Sequence, residues 1–234
     1  MQLIKDIWTK DDYQEYVKYL TSIKDEKNKL FSEKLIFTKY EILGIKIPIQ
    51  KDIAKQIVKG NYQEFLKNTK FKYQEEVMIY GFVIAYSKDI KIVDKYLDKY
   101  ISLIDNWSLC DSFSSSLKIL KKYDYFNKAK DLSLSNKEYQ IRVGLTIILF
   151  QYINENNLKE IFNILDNLKL DTYYVNMAAS WLLCDLFIKY RNDTLEYIKH
   201  TKVNDFIFNK FISKCRDSFR VSKKDKDFLK TLKK

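Results

Sequence analysis

Four glycines and one proline in 234 residues constrain this chain more than any motif it contains. Folds rich in strands turn tightly and often, and tight turns draw on Gly, Pro and Asn. A chain this poor in the first two is expected to build helices joined by short polar links. The 3.6-residue spacing of apolar positions agrees. Thr9 is placed to cap KDDYQEYVKYLTSI, and SEKLIFTKYEIL follows as a helix expected to stop at Gly44. Pro48 suits the first helical position of PIQKDIAKQIVKG, with Gly60 closing it. YQEEVMIYGFVIAYS comes next, then DIKIVDKYLDKYISLI, which Asp89 would start, and Asn106 is placed to cap a helix opening on Trp107. SLKILKKYDYFNKAKDL, KEYQIRVGLTIILFQYI and LKEIFNILDNL lead to TYYVNMAASWLLCDLFIKY, which Asp171 would cap. DTLEYIKH, DFIFNKFISKCRDSF and KKDKDFLKTLK complete the series.

About a dozen helices result, in pairs recurring at roughly 30–45 residues, the range of helical solenoid repeats. The first member of the later pairs is apolar almost all round (VGLTIILFQYI, VNMAASWLLCDLF), whereas its partner is amphipathic. Stacked helix pairs produce that asymmetry, because one helix of each pair is sandwiched between its neighbours. The expected fold is therefore all-α, an α-solenoid (α-α superhelix) forming one elongated domain over residues 1–234. A globular helical bundle is the alternative. The two differ in function, since a solenoid offers a long concave surface to an extended partner.

The formal charge is +11. From Thr201 to Lys234 there are eleven Lys or Arg against four Asp, so most of the excess lies in the last 34 residues. A basic terminal segment suits nucleic acid or an anionic membrane surface, and equally a solvated face with an exposed tail. Within it, Arg220, Lys223 and Lys224 in SFRVSKKDK are candidates to track a phosphate backbone.

Cys110, Cys184 and Cys215 are odd in number, far apart and in no metal-ligand spacing, which suggests core residues in a reducing compartment. His200 is the only histidine, so a histidine-based zinc site is excluded and a His-dependent nucleophile is improbable. Its place after LEYIK suggests the last turn of a short helix. No metal and no cofactor are expected. The start, MQLIKDIWTKDDYQEY, lacks the pattern of a signal peptide, and VGLTIILF is too short to span a bilayer. A cytoplasmic protein without a membrane partner is expected.

DNWSLCDSF places Trp107 and Asp111 one turn apart on one helix face. Such a pair can staple a core or face a substrate. Arg142 lies in EYQIRVGLTIILFQ, where its guanidinium needs an acid or a phosphate as partner. Trp181 sits among the small residues of NMAASWLLCDLF, which allow another element to approach. With repeats in register, the helices of Trp107, Arg142 and Trp181 would line one groove. Two indoles, a carboxylate and a guanidinium there suit DNA that carries a cationic lesion.

In order and spacing, YEILGIKIP, NWSLCD, EYQIRVGLTIILFQ, YYVNMAASWLLCDLFIKY and NKFISKCRDSFRVSKKDK resemble landmarks of the AlkD-like DNA alkylation repair proteins. The resemblance runs from about residue 10 to the end. It implies HEAT-like helical repeats with a concave basic groove, and a DNA N-glycosylase. Such an enzyme hydrolyses the N-glycosidic bond of 3-methyladenine and 7-methylguanine in duplex DNA without a deep base-flipping pocket. It further implies that Trp107 and Trp181 flank the sugar of the lesioned nucleotide. Asp111 would orient water and stabilise positive charge, and Arg142 would contact phosphate. Duplex DNA, bound by a monomer, is the implied partner. Two positions depart from the family. Cys184, followed by Asp185, stands where active members carry a backbone-gripping arginine, and Leu35 stands at a tyrosine-type position. The first departure should weaken phosphate binding locally. A non-catalytic protein of the same fold that recognises bent or branched DNA is the alternative. A protein-binding scaffold is a third reading.

Overall fold

Thr9, Asp25, Asp89, Asn106, Asn204 and Ser222 each accept a backbone N–H of the helix they precede. These caps satisfy donors that a helix start leaves open, and they punctuate an all-α chain. The computed structural model describes all 234 residues, Met1–Lys234, and contains fourteen α-helices. A single isolated bridge, between Glu41 and Tyr73, is its only β pairing. The helices form two compact units, Met1–Tyr123 and Asp124–Lys234.

The first unit comprises α1 (Lys10–Ser22), α2 (Glu26–Glu33), α3 (Ile47–Ile57), α4 (Tyr62–Asn68), α5 (Gln74–Tyr86), α6 (Ile90–Leu103) and α7 (Trp107–Ser116), followed by a 3-10 turn over Lys118–Lys122. Helix α5 lies between α3 and α7 and buries every residue from Gln74 to Ala85. Side chains such as Phe82 and Ile84, fully buried there, each contribute roughly 1.5–3 kcal/mol by leaving water. Helix α6 is its amphipathic companion. Ile92, Val93, Tyr96, Leu97, Tyr100 and Ile101 face inward, while Lys91, Lys95 and Lys99 remain exposed.

The second unit repeats the scheme with α8 (Phe126–Ser133), α9 (Glu138–Ile147), α10 (Leu158–Asp166), α11 (Tyr173–Lys189), α12 (Arg191–Ile198), α13 (Asp205–Asp217) and α14 (Lys223–Thr231). Helix α11 packs between α9 and α13 and is buried on almost all sides, while α12 covers α11 and α14 covers α13. The expected asymmetry between sandwiched and amphipathic helices is therefore present in both units.

Several local expectations are corrected. The predicted helix over SEKLIFTKYEIL is absent, because α2 ends at Glu33 and residues 34–46 are irregular. Buried Glu75 takes the N–H groups of Leu43, Gly44 and Ile45 on its carboxylate, at 3.0, 2.8 and 3.2 Å. Gly44 adopts φ 82°, and a Cβ there would collide with Asp25 and Lys29 backbone. Gly60 does not close α3, which ends at Ile57; it permits close approach to the backbone of Lys5. Thr172, not Asp171, is the N-cap position of α11, and Asp171 instead accepts from the Asn176 and Asn204 amides. The long helix expected before Ser133 divides into the 3-10 turn and α8. Helix α9 continues through a π-helical segment, Ile148–Tyr152, and α4 is a helix beyond those expected from the sequence. His200 lies beyond the end of α12.

Candidate functional site

In the first unit the site is built on the start of α7. Asn106 is fully buried, and its Oδ1 accepts the N–H groups of Ser108 and Leu109 at 3.0 and 3.2 Å. Its amide donates to Gln74 Oε1 at 3.3 Å and to Asp105 Oδ1 at 2.8 Å. The cap is thus locked to α5, and it fixes Trp107 as the first residue of α7. The half-buried indole donates its N–H to the carbonyl of Leu35 at 3.2 Å. Asp111 is also half-buried, one turn further along α7.

Asp105 reaches back to brace the irregular segment. It accepts the Thr38 hydroxyl at 3.0 and 2.9 Å and the Lys39 N–H at 2.8 Å. Tyr40 donates its hydroxyl to the Leu103 carbonyl, and burial, with Asp105 nearby, pushes that phenol up to about 12. Beneath Trp107 lies a cavity of about 280 Å³ whose walls include Phe31, Leu35, Met78, Gln50 and Trp107. Leu35, noted as a departure from the family pattern, is therefore in contact with the tryptophan of that pattern. The carbonyl that holds the indole is not legible in the sequence, because residues 32–43 read there as helix.

In the second unit Arg142 and Trp181 lie on the adjacent helices α9 and α11. Arg142 is buried, and its Nη1 donates to the Tyr174 carbonyl at 2.7 Å, with the guanidinium 5.9 Å from the Tyr174 ring centroid. The partner that the guanidinium needs thus includes a peptide oxygen, a class beyond the acid or phosphate that the sequence suggests. Trp181 is half-buried, makes an edge contact with Phe150 at 5.4 Å, and has the Lys214 ammonium 5.9 Å from its ring centroid. Its indole already attracts a cation.

Cys184 is buried and accepts a hydrogen bond from Cys215 Sγ at 3.5 Å. That bond favours the Cys184 thiolate and, with burial, holds the Cys215 thiol up. The next residue, Asp185, is buried and pairs with the guanidinium of Arg220, which is more than half exposed. A cation therefore returns to this part of α11 from the segment between α13 and α14. Lys223 and Lys224 are the first two residues of α14 and both are exposed. Helix starts favour anionic side chains, so two lysines there are unfavourable for α14 itself, by up to about 1 kcal/mol each. No cluster of His, Cys, Asp or Glu side chains is placed to hold a metal, and no helix is long and apolar enough to cross a membrane.

Residues 16–208 match the family model described as DNA alkylation repair enzyme. No curated protein matches the chain.

Proposed function

The chain belongs to the DNA alkylation repair enzyme family, and on that premise we propose that it is a DNA N-glycosylase for alkylated purines, 3-methyladenine and 7-methylguanine in duplex DNA. The reading takes residues 1–234 as a single DNA-binding domain of HEAT-like repeats, working as a cytoplasmic monomer without metal or cofactor. The observation that carries it is the locked start of α7. The buried Asn106 cap and the Leu35 carbonyl hold Trp107 in one orientation, with Asp111 one turn away on the same helix. A purely structural tryptophan does not require a carboxylate at that spacing.

In this reading the alkylated base is cationic and leaves as a neutral purine when the bond from C1′ to its nitrogen breaks. Positive charge then develops on the sugar. Asp111 stabilises that charge and orients the water that attacks C1′; the water gives C1′ its hydroxyl and releases a proton. The face of Trp107 contributes cation–π attraction in the same step, and Trp181 is taken as the groove aromatic of the second unit. Little general-acid help is needed, which suits a chain whose only histidine lies elsewhere. Arg220, Lys223 and Lys224 contact phosphates, and the buried Arg142 adds positive potential from within α9.

One observation favours a second reading, a non-catalytic protein that recognises bent or branched DNA. Cys184 is packed against Cys215 and adjoins a carboxylate, where active relatives are expected to grip the backbone with an arginine. The test is release of free 3-methyladenine and 7-methylguanine from methylated duplex DNA, with wild type and Asp111→Asn side by side. Release by wild type alone supports the glycosylase. No release, with salt-sensitive DNA binding intact, supports the second reading.

A further inference from the structure

Phe219 is fully exposed, at 104% of its reference area, more than any other large apolar side chain of a protein that buries half of its other phenylalanines. An apolar ring in water forgoes the gain of burial, so a braced turn that keeps it there calls for an explanation.

The turn has no freedom to bury it. On one side Ser218 ends α13, donating its N–H to the Lys214 and Cys215 carbonyls at 3.1 and 3.3 Å, and Cys215 is fully buried. The Ser218 hydroxyl then accepts the Arg220 N–H at 3.2 Å. On the other side Val221 is buried, and Ser222 caps α14 by accepting the Asp225 N–H at 3.1 Å. Asp225 is in turn held by Arg191 at 2.7 Å. Phe219 therefore stands at the apex of a braced turn, between two buried anchors.

Its charged surroundings indicate what it meets. Lys214, Arg216, Arg220, Lys223 and Lys224 lie within five residues of it. Asp217, which is exposed, is the one carboxylate in that span, and Asp225, just beyond it, is paired with Arg191. A polyanion is attracted to such a turn, and duplex DNA is the polyanion that also offers flat apolar faces between its base steps. Proteins that deform duplexes often insert a single apolar side chain into a step while flanking cations hold the phosphates.

We propose that Phe219 inserts into or stacks on the base steps of bound DNA, as an apolar probe beside the phosphate contacts of Arg220, Lys223 and Lys224. The inference rests on the DNA-binding part of the proposed function and not on excision. It assigns the turn a share in sensing steps that stack poorly, as an alkylated or unpaired base would.

The test uses the full chain and a fluorescent duplex containing one abasic site, bound at several salt concentrations. Phe219→Ala is expected to weaken binding about 5- to 150-fold, the range for one lost base–aromatic contact, without changing the salt slope. Phe219→Trp is expected to restore affinity, with its added indole emission quenched on saturation with DNA. Unchanged affinity in Phe219→Ala, or an unquenched indole in Phe219→Trp, overturns the inference. So does a Phe219→Ala defect confined to vesicles of anionic phospholipid. Wild type that binds no DNA overturns the proposed function itself, and this inference with it. Phe219 packs against nothing, so misfolding does not cloud the result.

Discussion

The guanidinium of Arg220 pairs with the carboxylate of Asp185, thirty-five residues earlier in the chain. Asp185 is nearly enclosed, whereas Arg220 is more than half exposed, so one end of the pair is anchored and the other reaches solvent. The arrangement gives α11 a surface cation beside the cysteine that stands where a family arginine is expected. Arg220→Ala is expected to lower duplex affinity and reduce the slope of log affinity against log salt by about 0.9. A fluorescence-anisotropy titration across salt concentrations measures this; an unchanged slope would remove Arg220 from the phosphate contacts.

Asp111→Asn is expected to reduce excision of alkylated purines about 100- to 1,000-fold, the scale of losing one well-placed electrostatic group. Affinity for undamaged duplex is expected to hold or rise, since a negative charge is removed. Full activity in the variant, measured by chromatography of the released bases, would refute the role given to that carboxylate.

Glu75 spends its carboxylate on three backbone N–H groups while buried in α5. A glutamine amide presents one oxygen and one donor, so Glu75→Gln sets an N–H against an N–H and is expected to lower stability by about 1–3 kcal/mol. Thermal or urea unfolding reads this out. Because Leu43, Gly44 and Ile45 lead out of the segment that holds the Trp107 indole, the variant should also loosen Trp107. A red shift and stronger quenching of its emission would record that change.

Asp12 is held down to about 2 by the Lys5 ammonium and by the hydroxyl and backbone N–H of Thr9. Its folded value lies below the ordinary carboxylate value of about 4, so its stabilising contribution is present above that pH. The contribution is lost as pH falls from about 4 to about 2. Denaturant midpoints of wild type and Asp12→Asn should therefore converge across that window and differ above it. A constant difference down to pH 2 would show that the ion pair and cap do not set the titration.

The parts of the fold that were legible in the sequence are those decided locally. Asn106, Asp89 and Thr9 cap the helices that their positions suggested, because a cap needs only the next three residues. The segment from Lys34 to Lys46 was illegible for the opposite reason. Four of its backbone donors go to Glu75 and Asp105, some thirty and sixty-six residues away, and those distant acceptors override a helical pattern. Asp171 follows the same rule, since two asparagine side chains capture the carboxylate that was expected to cap α11. At the candidate site, spacing alone revealed that Trp107 and Asp111 share a face. The Leu35 carbonyl that orients the indole, and the exposed Phe219, depend on irregular backbone that carries no period.

The sandwiched helices α5, α9 and α11 together contain one lysine, Lys189, in the last turn of α11. The amphipathic α6 alone exposes three. Enclosure on every side thus partitions the chain into positions where lysine can accumulate by drift and positions where it cannot. Overall basicity in such a protein records mainly the freedom of its outer helices. A cation on an inner helix does not draw on that freedom: Arg142 is placed by packing and holds the Tyr174 carbonyl, so its charge is part of how the inner layer is built.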